Sequence, residues 1–177
     1  MAHRSVLLSR RSLASVAAFS ALLALPAVSW SQAKSECTLP DCDQAKAFFT
    51  KFQGAINADQ RKDVVAMVSY PLRSNRNGKS TVIKTKADLL AQYDTVFDAG
   101  TRCAIKAASI ADVWGNWRGF TVAAGIIWWD RILPPSAAKN AEIQPSDLAK
   151  YPFGIITVNH SSQADKHCTA DAKRLDQ

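Results

Sequence analysis

The chain has 177 residues, with 22 Lys and Arg against 15 Asp and Glu, for a formal net charge of +7. Hydrophobic residues make up 47% and charged residues 21%, a composition that excludes a disordered, collagenous or coiled-coil chain. Three of the arginines precede residue 34, and the remaining 19 basic residues are spread along the chain. A nucleic-acid surface is therefore not expected, because it would gather basic residues on one face.

The first 33 residues have the three parts of a secretory signal: a basic start, an apolar run and small residues before a cleavage site. Cleavage is predicted after Ala33, with a cut after Ser29 as the alternative. The apolar run is shorter than the roughly 20 residues that span a bilayer. The segment SRRSLAS resembles a twin-arginine signal. We expect a periplasmic or secreted protein with no membrane anchor after cleavage, in which residues 34–177 form a single domain.

Four cysteines follow the predicted signal, as an oxidising compartment favours: Cys37, Cys42, Cys103 and Cys168. They allow three pairings, between which the sequence does not decide. The preferred hypothesis joins the first pair around a tight loop and uses the second pair to pin the C-terminal tail to the domain. No zinc-type spacing of cysteines is present, so neither a metal nor a cofactor is predicted.

The first half of the mature chain predicts helices and a hairpin. An apolar face at helical spacing predicts a helix over 43–58, and a second helix is predicted over 60–68, ended by Pro71. Asn77 and Gly78 favour a hairpin turn between strands at 72–75 and 80–85. A third helix is predicted to begin at Thr85 with a capping box and to end near a C-cap at Gly100, followed by a turn containing Cys103.

The second half predicts a sheet. Residues 111–132 hold four tryptophans and three glycines, and predict a strand, a turn and then one long central strand over 120–132 that is apolar on both faces. A proline-containing loop of about 20 residues follows, longer than most connections in a compact domain. The last strand is predicted over 153–160. Helices followed by antiparallel strands define an α+β class.

The order of these elements resembles the nuclear transport factor 2-like (SnoaL-like, cystatin-like) superfamily, and in particular its exported bacterial members. The resemblance is carried by AFFTKFQGAINADQRKDVVAMVSYPLR, NGK, KTKADLLAQYDTVF and VWGNWRGFTVAAGIIWW leading to IITVNH. It implies a cone-shaped, curved antiparallel sheet wrapped around about three helices, with a cavity inside the cone. It also implies that the sheet face can mediate a homodimer.

Enzymes of that superfamily place an Asp and a His, or an Asp and a Tyr, inside the cone. Here His160 lies at the end of the last predicted strand, and no such pair is evident. The resemblance therefore favours a non-catalytic periplasmic module that binds a small apolar ligand or a protein partner, for instance as an inhibitor or immunity protein. The alternative is an enzyme of the ketosteroid isomerase or polyketide cyclase kind, with Asp130 as base and Tyr70 or Tyr93 as hydrogen-bond donor.

Five aromatic side chains are predicted to line an apolar pocket: Tyr70, Tyr93, Trp117, Phe120 and Trp128. The alternative is that they fill the core, as clustered aromatic residues usually do. For Asp130, the alternative to a catalytic role is a strand-end ion pair with Arg131 or Arg118.

Overall fold

The computed structural model describes residue 37 and residues 39–134 and 145–160. The helices in these ranges are α1 (Cys42–Asn57), α2 (Arg61–Ala66), α3 (Lys86–Ala91), α4 (Tyr93–Val96), α5 (Ala99–Ala107) and α6 (Pro145–Leu148). The strands are β1 (Val68–Arg76), β2 (Lys79–Ile83), β3 (Trp114–Asn116), β4 (Gly119–Val122), β5 (Ile127–Arg131) and β6 (Phe153–Asn159). The protein is thus α+β, as predicted. The predicted signal and its cleavage site lie outside the described residues.

The six strands form one open sheet in the order β2-β1-β6-β5-β4-β3. Neighbouring strands run antiparallel except β1 and β6, which are parallel. The expectation of a purely antiparallel sheet is therefore wrong. Between β1 and β6 the chain runs through β2, α3–α5, β3–β5 and α6. Parallel pairing of two strands requires a long connection of this kind.

The local sequence pattern correctly predicted α1 and the first hairpin turn. Helix α1 begins and ends within one residue of its prediction. The hairpin turn is confirmed, with φ of 51° at Asn77 and 75° at Gly78. Strand β1, however, begins at Val68, and Pro71 lies inside it instead of ending a helix. The pairing of β1 with β6 shifts register between Val68 and Arg73, so Pro71 occupies an irregular stretch where no regular ladder bond is lost.

The third predicted helix is divided into α3, α4 and α5. Its capping box is confirmed, since the Thr85 side chain accepts from the Asp88 amide and the Asp88 carboxylate accepts from the Thr85 amide. Gly100 does not end a helix, because Asp98 begins a new one there. The Asp98 Oδ1 atom accepts a hydrogen bond of 2.8 Å from the Thr101 amide, which satisfies a donor that the first turn leaves free. Cys103 accordingly lies in α5 and not in a turn.

The predicted long strand over 120–132 is a hairpin. Strands β4 and β5 pair antiparallel, with Thr121 opposite Trp128, and residues Ala123–Gly125 turn the chain between them. All three turn residues have positive φ, including 52° at Ala123 and 53° at Ala124. An alanine rarely adopts this conformation, which is why the sequence did not suggest a turn.

The core lies between the helices and one face of the sheet. Trp129 is fully buried and stacks on Phe49 of α1, with ring centroids 5.5 Å apart, and on Phe120 of β4 at 6.3 Å. Phe52 and Phe97 continue this packing, with centroids 6.0 Å apart. These rings form the aromatic part of the core between the helices and this face of the sheet.

Two disulfide-bonded segments and one ion pair add further contacts to this fold. The predicted disulfide between Cys37 and Cys42 is present. Cys103 is also disulfide-bonded, and its predicted partner, Cys168, lies outside the described residues. The Arg131 side chain is 7% exposed, and its Nε atom lies 3.2 Å from Asp41 Oδ2 ahead of α1. Among the described helices, none has the length and apolar character needed to cross a membrane.

Candidate functional site

The face of the sheet away from the helices carries a row of side chains across neighbouring strands. The pairing places Arg73 opposite Thr157, Thr157 opposite Trp128, and Trp128 opposite Thr121. Directly opposed residues lie on the same face of a sheet. Since Trp129 faces the helices, its neighbour Trp128 lies on the other side. This second side is called the open face below.

The open face contains a groove of about 450 Å³, within the range of small-molecule sites. Its lining residues come from β1, the β3–β4 turn, β5 and β6: Arg73, Asn75, Arg118, Trp128, Ile156, Thr157 and Asn159. Ile156 reaches the groove because the β5–β6 pairing shifts register between Trp128 and Trp129, which inserts one extra residue into β6.

The groove is basic. Of the six arginines in the described ranges, four form ion pairs with aspartates: Arg61, Arg76, Arg102 and Arg131. The other two, Arg73 and Arg118, both line the groove. No carboxylate of the described residues lies within ion-pair distance of either one. Two cations and no acid therefore define the charge of the groove.

Tryptophans flank this basic surface. Trp114 packs edge-to-face against Trp128, with centroids 5.6 Å apart. Trp117 is 84% exposed, and the Arg118 guanidinium lies 4.6 Å from the centre of its ring. A cation over the face of an indole is attracted by the ring, so Trp117 holds Arg118 in place although it does not line the groove itself.

Two asparagines close one end of the groove. Asn75 donates to the Oδ1 atom of Asn159 at 2.8 Å, and Asn159 donates to the carbonyl oxygen of Gly125 at 2.7 Å. These bonds link β1, β6 and the β4–β5 turn. The end of the groove is therefore fixed by hydrogen bonds.

Only one of the five aromatic residues predicted to bind a ligand lines the groove, namely Trp128. Phe120 and Tyr93 are 2% and 1% exposed and belong to the core. The Tyr70 hydroxyl donates to the carbonyl oxygen of Val65 in α2, and burial raises the pKa of Tyr70 to about 12. For most of these residues, the structure favours the alternative that aromatic side chains fill the core.

Asp130 lies on the open face, two residues after Trp128, and is half-buried. Burial raises the pKa of its carboxyl group. Its Oδ1 atom accepts from the Arg131 amide at 2.7 Å, while the Arg131 side chain pairs with Asp41 instead. Tyr93 faces the helices, so the structure does not bring Asp130 and Tyr93 together.

A second polar cluster, which the sequence did not suggest, joins Ser74, His160 and Asp98. The His160 Nε2 atom lies 3.1 Å from Ser74 Oγ, and its Nδ1 atom lies 3.1 Å from Asp98 Oδ2. Serine hydrolases use groups in this order. Here, however, Arg76 Nη2 lies 2.8 Å from the same Nδ1 atom. The carboxylate that would orient the imidazole in a hydrolase is thus shared with a guanidinium, which only donates.

The His160 cluster therefore has a structural role. It joins the end of β6 to β1 and to the beginning of α5, where Arg76 also lies 2.6 Å from Asp98 Oδ2. Burial by itself raises the pKa of Asp98, but hydrogen bonds from Thr101, Arg76 and His160 lower it to about 2. The carboxylate is thus held in its charged form at neutral pH.

Within the described part of the chain, no group of three or more His, Cys, Asp or Glu residues is placed to hold a metal ion. Comparison with known protein families, with curated proteins and with solved structures finds no match to this chain.

Proposed function

We propose that this protein is an exported, non-catalytic binding module of the nuclear transport factor 2-like superfamily, and that it binds a small ligand in the groove of the open face. One observation carries the proposal. The helix side of the sheet is filled by aromatic side chains, whereas the open face offers a groove of about 450 Å³. A ligand needs a concave surface of this size with a few fixed polar groups.

Export and family membership are supported by separate features. The secretory pattern of residues 1–33 and the Cys37–Cys42 disulfide suit an oxidising compartment such as the periplasm. The order of the elements, with helices first and paired strands last, agrees with the superfamily. The proposed cone would be the curved sheet wrapped around α1, with the interior occupied by its own core.

A protein partner is the other occupant that the sequence suggested. The proline-containing loop that prompted this hypothesis lies largely outside the described residues. The groove favours a small molecule because its volume matches one and its polar end is fixed by the Asn75–Asn159 hydrogen bond. Homodimerisation through the sheet face would compete with such a ligand for the same surface.

The proposal is tested by filling the groove. Thr157 is half-buried in the row between Arg73 and Trp128, so Thr157→Trp should occupy the site. Thr81→Trp is the matched control, because Thr81 is exposed on β2 and does not line the groove. The probe is the dye 8-anilinonaphthalene-1-sulfonate, whose fluorescence rises on binding. We expect the wild type and Thr81→Trp to bind the dye and Thr157→Trp to lose it; equal binding by all three overturns the proposal.

An isomerase remains the second candidate, because burial raises the pKa of Asp130, as a general base requires. Its weakness is that the Tyr93 and Tyr70 hydroxyls are directed elsewhere. The test is turnover of a β,γ-unsaturated ketone, followed by absorbance of the conjugated product. Turnover that falls at least about a hundredfold in Asp130→Asn would support this candidate, and absence of turnover in the wild type would reject it.

A further inference from the structure

We propose that the ligand of the groove is a flat organic anion, such as an aromatic carboxylate, whose charge is bound by Arg73 and Arg118 and whose ring packs against Trp128. This inference rests on the proposed binding function of the groove and names the class of its ligand. It replaces the apolar ligand that the sequence predicted.

The first step is charge. Among the described residues, two arginines and no acidic residue line the groove. The other arginines of the described residues each have an aspartate partner, as in the 2.7 Å contact of Arg61 with Asp94. Guanidinium groups bind carboxylates through paired hydrogen bonds. The two arginines without such a partner are therefore the ones placed where an anionic ligand can supply it.

The second step is position. Arg118 directly precedes Gly119, and a Cβ atom at Gly119 would lie 3.1 Å from the Asp130 Cβ atom. Asp130 is thus close to the residue that follows Arg118, yet Arg118 makes no ion pair with it. The guanidinium instead lies over Trp117 and lines the groove. Arg118 is therefore held away from its neighbouring acid and remains available to a ligand.

The third step is shape. Arg73 and Trp128 lie on either side of Thr157 in adjacent strands, so their Cα atoms are about 10 Å apart. Between them, Thr157 and Ile156 form a shallow floor. A ring that lies on this floor can pack against the Trp128 indole while its carboxylate points to the arginines. Offset packing of two rings is favourable.

The test compares two molecules that differ only in charge. The probes are naphthalene-2-carboxylate and its neutral amide, naphthalene-2-carboxamide, titrated into the purified protein by calorimetry. We expect the carboxylate to bind at least about tenfold more tightly than the carboxamide, since hydrogen bonds to charged groups are the strong ones. Arg73→Gln and Arg118→Gln should each remove most of that preference.

Two sets of variants test whether the preference depends on net charge and on the position of Arg118. Lys62→Gln removes one positive charge at an exposed position of α2 and should leave the preference unchanged. Trp117→Ala should reduce it by releasing Arg118, whereas Trp117→Phe, which keeps a ring under the guanidinium, should restore most of it. A loss of preference in Lys62→Gln equal to that in Arg73→Gln would show that net charge alone is responsible, and would overturn the inference.

The outcomes separate the inference from the function on which it rests. If both probes bind equally and Thr157→Trp abolishes both, the groove binds ligands but the anionic class is wrong. If neither probe binds, or if Thr157→Trp leaves binding unchanged, the groove is not the site and both proposals fall. Carboxylate binding that weakens in both arginine variants and disappears in Thr157→Trp supports both.

Discussion

Both faces of the sheet carry tryptophans and arginines, but these side chains differ between the faces in their burial and their ion pairs. Trp129 and Trp128 are adjacent in β5, but Trp129 is fully buried against α1 while Trp128 lines the groove. Arginines show the same contrast. Arg131 is 7% exposed and paired with Asp41, whereas Arg73 and Arg118 face the groove without a carboxylate among the described residues.

With the open face as the proposed binding surface, this contrast predicts that stability and binding depend on different faces of the sheet. The helix side buries its large aromatic side chains and pairs Arg131 with Asp41, so changes there should cost folding free energy. On the open face, Arg73 and Arg118 have no ion-pair partner among the described residues. Substitutions there should therefore weaken ligand binding with little effect on folding. The following predictions compare the two faces, in order of decreasing effect.

The largest difference is expected between the two adjacent tryptophans. Trp129→Ala should lower the free energy of unfolding by about 3 to 5 kcal/mol, because it leaves a large cavity in a core that cannot collapse around it. Trp128→Ala should cost about 1 kcal/mol or less, since its side chain is only half-buried against the groove. Urea unfolding followed by circular dichroism measures both, and equal costs would show that the two faces are not distinct.

The next prediction concerns Asp98 on the helix side. Its lowered pKa stabilises the folded state above pH 4, and this contribution is lost as the pH falls towards about 2. Asp98→Asn should therefore cost about 2 kcal/mol at pH 7. The gap between the variant and the wild type should close as unfolding is measured from pH 4 down to pH 2.

Asp63→Asn provides the control for that experiment, because Asp63 is exposed in the first turn of α2. It should change stability little at any of these pH values. A gap for Asp98→Asn that persists unchanged at pH 2 would mean that the His160 cluster does not depend on the charge of this carboxylate.

The smallest effect is expected at Asp130 on the open face, and with the opposite sign. Its raised pKa means that the folded protein holds the proton more tightly than the unfolded chain, so its charged form costs stability as the pH rises. Asp130→Asn should therefore raise the melting temperature slightly at pH 7. The difference should vanish below pH 4, and a variant that is less stable at pH 7 would contradict this account.

Local sequence signals predicted much of the fold. Helix α1, the Asn77–Gly78 hairpin and the Thr85 capping box each depend on a few neighbouring residues. The β4–β5 turn could not be predicted, since Ala123 and Ala124 adopt a conformation that alanine avoids. Without this turn, β4 and β5 were predicted as one continuous strand over 120–132.

The candidate site was harder to predict because it depends on contacts between distant parts of the chain. The sequence predicted five aromatic residues at the site, but only the register of β5 decides that Trp128, and not Phe120 or Tyr93, lines the groove. Arg73 and Arg118 are distinguished only by the ion pairs that the other arginines of the described residues form with aspartates. Arg118 and Asp130 were suggested as a pair, and the structure keeps them apart.

The central claim, that ligands bind on the open face and not among the helices, is tested most directly by nuclear magnetic resonance. Indole Nε1 and arginine Nε signals are followed in ¹⁵N-labelled protein while naphthalene-2-carboxylate is added, with Trp128→Phe and Trp129→Phe used for assignment. We predict that the signals of Trp128, Arg73 and Arg118 move together while that of the buried Trp129 stays fixed. Movement of Trp129 with Trp128 unchanged would place the ligand among the helices and contradict the account.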